Sequence, residues 1–178
     1  MFDVFIIGGG INGSGIARDA AGRGYKVGLA EQHDFGSQTS SWSTKLIHGG
    51  IRYLEQGHIS LVSEALRDRH WWLQNVPEYV KPIKLCIPIY KNSNRSMPLI
   101  FIGAFLYRLL SGSYSLGPSR YVGSKKVKAL CSDIKKFGLK SAITFYDAQM
   151  NEQALGAWIK TKSLESGVKI FENTEINK

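Results

Sequence analysis

The chain has 178 residues, 43% of them hydrophobic, enough to bury a core of ordinary size. Its two cysteines, Cys86 and Cys131, stand far apart with no CxxC and no histidine cluster nearby, which argues against a disulfide framework or a metal site and for a reducing compartment. The net charge of +9 is confined to one stretch: residues 81–140 hold 12 Lys and Arg against the single acid Asp133, while the rest of the chain sums to −2.

Met1 to Asp3 lead into an apolar run, Val4 to Ile7, too short for a signal-peptide core or a membrane span. Its β-branched and aromatic residues predict a buried strand over Asp3–Ile7, stopped by the glycines Gly8 to Gly10. A helix is predicted from Ile11 to Arg23, with Ile16, Ala17, Ala20 and Ala21 as a small-residue face against a sheet and Gly24 as its end. Tyr25 to Ala30 supplies a second strand and completes a βαβ unit. The hydroxyl-rich segment Ser37 to Thr44 favours turns and caps. Beyond it, His58 to Asn75 reads as an amphipathic helix with Ile59, Val62, Leu66 and Leu73 at helical spacing, closed by Pro77 and Pro82. Leu85 to Tyr90 reads as a strand that Pro88 demotes to an edge. A helical pattern follows at Ser124–Cys131, a strand at Leu139–Tyr146, a helix at Asn151–Ser166 ended by Gly167, and a strand at Val168–Phe171.

Gly8, Gly10 and Gly13 form a G-x-G-x-x-G at the strand-to-helix junction. The first permits a tight turn, the second lets a diphosphate approach backbone N–H groups, and the third allows close helix–sheet packing. The helix start at Ile11 and Asn12 offers aligned N–H dipoles to an anion. Such a loop alone is weak, but Ala17, Gly24 and the acid Glu31 at the end of the second strand extend it; Glu31 is placed to accept ribose hydroxyls. The loop does not distinguish NAD from FAD, because both present an ADP half to it.

The segment Ile7 to Gly24, then Thr39-Ser-Ser-Trp-Ser-Thr-Lys-Leu-Ile-His-Gly-Gly-Ile-Arg-Tyr-Leu-Glu55 and Leu61 to Leu66, closely resembles the FAD-dependent glycerol-3-phosphate dehydrogenases. The likeness is dense to about Arg69 and looser afterwards, weakening near Asn151-Glu152-Gln153. It implies an α/β fold with a Rossmann-like FAD-binding domain and part of an inserted α+β cap. It also implies oxidation of sn-glycerol 3-phosphate to dihydroxyacetone phosphate by hydride transfer to FAD, with electrons passed to a quinone or, in oxidase relatives, to O₂. Carried over by residue, Gly8, Gly10, Ile11, Asn12, Gly13 and Glu31 hold the ADP half, and Ser40, Ser41, Lys45, Leu46, His48, Gly49 and Gly50 line the flavin side. His48, Arg52 and Tyr53 are the catalytic candidates. Arg52 suits a bidentate contact to phosphate or alkoxide. His48 is the nearby group whose ordinary pKa suits a base for the hydroxyl proton. Gly49-Gly50 lets backbone approach a flat ring.

Pro98 to Leu110, an apolar run between Lys91/Arg95 and Arg120/Lys125/Lys126/Lys128, fits either a core helix of the substrate region or a helix lying in an anionic membrane surface. No nucleic-acid recognition module is visible. The resulting division is an FAD-binding core at 1–80, a basic and partly apolar cap at 81–140, and a return to the FAD-binding domain at 141–178. The expected setting is cytoplasmic, peripheral on the inner face of the cell membrane, and the resemblance allows a homodimer for the full-length protein. Members of that family are much longer, so a chain of this length is expected to be a truncated one that binds FAD weakly or not at all and does not turn over. Two other readings stay open: a different amine- or hydroxy-acid-oxidising flavoenzyme, and a non-catalytic membrane-associated module.

Overall fold

The first glycine cluster does separate a strand from a helix. In the computed structural model, which describes residues 1–35 and 43–176, β1 covers Val4–Ile7, α1 Ile11–Gly22 and β2 Val27–Ala30. β1 and β2 pair in parallel from Val4↔Val27 to Ile7↔Ala30. α1 stops where Gly24 takes φ +91°, a left-handed conformation that glycine reaches without a Cβ penalty. On the small-residue face, Ala17 is fully buried and Ala20 and Ala21 pack beside it, whereas Ile16 is exposed. The predicted face is therefore narrower by that one residue.

β7 (Lys169–Phe171) joins the other edge of β2 in parallel, giving the order β1-β2-β7 with the fully buried β2 in the centre. Burial on both faces explains why Val27–Ala30 carries no polar alternation. α5 (Glu152–Glu165) precedes β7 and packs on α1. Asn151 caps it by accepting the Ala154 N–H at 3.2 Å, and Gly167 follows its end at φ +88°. These segments form one compact unit, Met1–Lys45 with Met150–Lys178.

The second unit is Leu46–Gln149. It holds β3 (Leu46–Ile47), a 3-10 helix at Ile51–Gln56, α2 (Ile59–Asn75), β4 (Val80–Tyr90), α3 (Met97–Ser111), β5 (Arg120–Gly123), α4 (Ser124–Leu130) and β6 (Leu139–Met150). The sheet order is β3-β6-β4, with β5 also antiparallel to β6 from Arg120↔Thr144 to Gly123↔Ser141. β4 is longer than its predicted core and runs through Pro82 and Pro88. It can do so because it lies at the end of the sheet order, where a missing N–H need not break a ladder bond.

Val62 and Leu66 of α2, Ala104 and Tyr107 of α3, and Ile89, Ile143 and Phe145 of the sheet build this unit's largest core. A smaller one gathers Val122, Val127, Leu139 and Ala142. The composition-based boundaries at 80/81 and 140/141 thus differ from the changeovers at 45/46 and 149/150. Charge marks what the surface shows, whereas the packing of α2 and the β3–β6 pairing put residues 46–80 with the second unit.

Candidate functional site

In the first unit the glycine loop is a built cradle. Gly8, at φ +106°, donates its N–H to Ala30 O at 2.8 Å. At Gly13 a Cβ would lie 2.0 Å from Gly8 O, so only glycine fits. Gly10 is the N-cap of α1, and its carbonyl accepts the Ser14 hydroxyl at 2.7 Å and the Ser14 N–H at 3.0 Å. The first turn of α1, beginning at the exposed Ile11 and Asn12, carries no acid that would repel an anion.

Glu31, nearly buried, accepts the Gly9 N–H at 2.7 Å through one oxygen and the His33 N–H at 3.0 Å through the other. A carboxylate has about four lone-pair directions, so among the described residues' hydrogen bonds two remain for ribose hydroxyls. This donor-and-acceptor set fits the ADP half of a dinucleotide. Gly9, unassigned in the sequence, is part of the device: its N–H aims Glu31, and a Cβ there would meet the Phe35 ring at 2.8 Å. A cavity of about 140 Å³ adjoins the loop, lined by Gly9, Gly10, Ile11, Ser14, Phe35 and Ser43 among others.

Ser40 and Ser41 lie outside the described residues. Lys45 holds φ 59°, unusual for a residue with a Cβ, and its ammonium pairs with Glu152 at 2.8 Å. Met150 N–H donates to Lys45 O at 2.8 Å, so the stretch where the family likeness weakens is also what holds Lys45.

In the second unit, Leu46, His48, Gly50, Arg52, Tyr53 and Asp147 line a common cavity of about 360 Å³, within the range of small-ligand pockets. The three catalytic candidates are therefore neighbours. His48 Nδ1 accepts the Gly50 N–H at 2.9 Å, and Gly50 makes the turn at φ +67°. With Nδ1 occupied as an acceptor, the neutral ring of His48, which lines the cavity, carries its proton on Nε2. A base role at Nε2 requires the other tautomer, whose Nδ1 proton would face the Gly50 N–H.

Gly49 is buried, and a Cβ on it would meet Leu66 at 2.7 Å and the Tyr107 hydroxyl at 2.8 Å. Its lack of a side chain is thus required by the core behind it.

Sequence reasoning missed the network behind this turn. Arg69 is 1% exposed and Asp147 2%, and they pair at 3.0 Å. The Tyr107 hydroxyl lies 2.9 Å from both Asp147 oxygens and accepts the Gly49 N–H at 2.6 Å. Arg69 also donates to Tyr114 O at 3.1 Å. Burial raises Asp147 above the usual carboxylate range, opposed by hydrogen bonds from Arg69 and Tyr107. Burial, with Asp147 beside it, also pushes the Tyr107 phenol up, so it stays protonated. One signal was available: Arg69 falls on the same α2 face as Val62 and Leu66, and an arginine on an apolar face needs a buried partner.

Residues 3–178 match the sequence profile of the family described as FAD dependent oxidoreductase. Among curated relatives, a glycerol-3-phosphate dehydrogenase of Synechocystis is 45% identical over 149 residues, covering 84% of this chain and 27% of its own length. A mitochondrial glycerol-3-phosphate dehydrogenase of Saccharomyces cerevisiae is 36% identical over 185 residues, covering all of this chain and 28% of its own length. The chain thus spans under a third of these relatives. A solved structure of the glycerol-3-phosphate dehydrogenase from Bacillus halodurans, complexed with FAD, superposes with a TM-score of 0.69 at 24% identity, covering 100% of this chain and 27% of that one. The dinucleotide cradle, the α/β architecture and the match along nearly the whole chain place it in one family: this chain belongs to the FAD dependent oxidoreductases.

Proposed function

We propose that this chain is part of a flavoprotein that oxidises sn-glycerol 3-phosphate to dihydroxyacetone phosphate with FAD and passes the electrons to a quinone. The observation that carries this reading is the 45% identity to a glycerol-3-phosphate dehydrogenase across 84% of the chain. When bound, FAD supplies the hydride acceptor. Gly8, Gly10, Gly13, the start of α1 and Glu31 hold its ADP half; Lys45, Leu46, Gly49 and Gly50 keep the flavin-side roles that the resemblance gives them. Arg52 holds the substrate phosphate, since a guanidinium fork matches two phosphate oxygens. Tyr53 adds a hydroxyl contact. The C2 hydroxyl proton passes to solvent water as the hydride leaves C2, and His48 donates from Nε2 to that oxygen and steadies its negative charge, a contact that the bond of Nδ1 to the Gly50 N–H supports better than the base role expected from sequence. Anaerobic addition of glycerol 3-phosphate to the FAD-loaded protein is expected to bleach the flavin absorbance band. Bleaching by L-proline or glycine but not by glycerol 3-phosphate would assign the protein to amine oxidation instead.

The finer part of the proposal is a peripheral site on the cytoplasmic face of the membrane. α3 buries Ala104, Tyr107 and Ser111 but exposes Leu99, Ile102, Phe105, Leu106 and Leu109. The apolar segment Met97–Tyr114 has a mean hydropathy of 1.2 and is only 17% buried. A helix of 15 residues is roughly 22 Å long, short of the ~30 Å hydrocarbon core, and its buried face ties it to the unit. Lying in the interface with Lys91, Arg95 and Arg108 nearby suits both facts. The protein is expected to co-sediment with vesicles containing anionic lipid, and the pair Ile102→Asp with Leu109→Asp to lower that partition at least about tenfold. Equal binding by the variant would remove α3 from the interface.

A further inference from the structure

We propose that Tyr107 is the positioning residue of the His48–Gly50 turn, with the buried Arg69–Asp147 pair fixing the direction of its hydroxyl. A phenol has one proton and two lone pairs. Asp147, held by Arg69, takes the proton, with both of its oxygens 2.9 Å from Tyr107 Oη. A lone pair is thereby left for the Gly49 N–H at 2.6 Å. Without the carboxylate the hydroxyl is free to rotate and present its proton to that N–H, a donor against a donor.

Gly49 lies between the two residues that set the imidazole: His48 itself, and Gly50, whose N–H is held by His48 Nδ1 at 2.9 Å. Pinning the Gly49 N–H therefore fixes the ring plane and its tautomer, with the proton on Nε2. Leu66 closes the other side, since it leaves no room for a Cβ at Gly49. The chain runs Arg69, Asp147, Tyr107, Gly49, Gly50, His48, drawn from α2, β6, α3 and the turn after β3. Tyr107, Asp147 and Arg69 are each 2% exposed or less, so the hydroxyl and the two charges have no bulk water as alternative partners.

The catalytic consequence rests on the substrate reading of the His48 cavity given above, while the structural link does not. Hydrogen exchange in the purified protein tests the link directly. In the unaltered protein the Gly49 amide is expected to exchange at least about 100-fold more slowly than exposed loop amides such as that of Asn94. Tyr107→Phe is expected to speed Gly49 at least about tenfold, with the Val62 and Ile143 amides of the same core changing less than about threefold. Nitrogen chemical shifts of labelled His48 should show Nδ1 as acceptor in the parent protein and a mixture of tautomers in the variant.

With glycerol 3-phosphate as substrate, kcat should fall about tenfold or more while KM stays within about threefold. An unprotected Gly49 in the parent protein overturns the proposal even where Tyr107→Phe fails to accumulate. So does a uniform rise of exchange across the unit, which a merely structural tyrosine would give, or an unchanged kcat in a variant whose Gly49 is loosened. If the parent protein fails to turn over glycerol 3-phosphate, the functional reading falls, and exchange and tautomer still decide the positioning role.

Discussion

Replacing Gly13 by alanine is expected to strip flavin from the full-length protein and to lower its stability by about 3 kcal/mol, the upper part of the range for an overpacked site. The added Cβ would lie 2.0 Å from Gly8 O and 3.3 Å from Ile6 Cγ2. The first of these is backbone, and it cannot retreat: Gly8 is fixed at φ +106° with its N–H on Ala30 O. Relief comes only by moving the loop, which withdraws the Gly9 N–H from Glu31 and opens the anion cradle. Gly15→Ala is the internal control, because nothing lies within 4 Å of a Cβ there and alanine favours a helix interior by up to about 1 kcal/mol. Flavin content per protein and thermal midpoint, compared across both variants, decide the matter. A Gly13→Ala protein that retains stoichiometric flavin would falsify the assignment of the cradle.

A second large effect is expected at Arg69. Arg69→Met leaves the buried Asp147 carboxyl without its partner and should cost about 3–5 kcal/mol, whereas Arg69→Met with Asp147→Leu should recover much of that loss, because a buried ion pair is exchangeable for apolar packing. Denaturant titration of the parent, both single variants and the double variant measures the coupling, and additivity of the single effects would refute it. The pH dependence has a definite sign. Burial raises Asp147 in the folded state, so the folded state binds its proton more tightly than the unfolded chain does. Its contribution to stability is therefore complete below the ordinary carboxylate pKa and declines as pH rises through the raised value. Among the carboxylates, Asp147 should not be a source of acid unfolding; a loss of the network on acidification that Asp147→Asn abolishes would contradict this.

The pattern of apolar residues and punctuating glycines was enough to give the first βαβ unit, α2, the strand before α5 and α5 itself to within a few residues. These elements are local in origin: Gly24 and Gly167 stop helices because only glycine enters their left-handed conformations freely, and Asn151 starts one because its side chain meets an N–H three residues on. The short β3 and β5 were not legible, since two to four residues carry no period and exist as strands only through pairing with β6. Sequence alone starts β4 too late because Pro82 reads as the close of the block before it, whereas the edge position that Pro88 implied is where the strand lies and is what lets it run through both prolines.

The candidate residues were nameable because the glycine loop and the stretch from Lys45 to Tyr53 are contiguous in the chain. What sequence by itself determined is thus the local hardware: a cradle whose every turn is dictated by residues within a short span, and the acid Glu31 at the end of the next strand. Tertiary structure alone decided how His48 is oriented, because its supports come from Arg69, Tyr107 and Asp147, separated by up to 78 positions. Hydrogen bonds over such distances leave no periodicity to read. Their pairing is selected by the energy of satisfying buried charges, which exists only once the chain has closed around them.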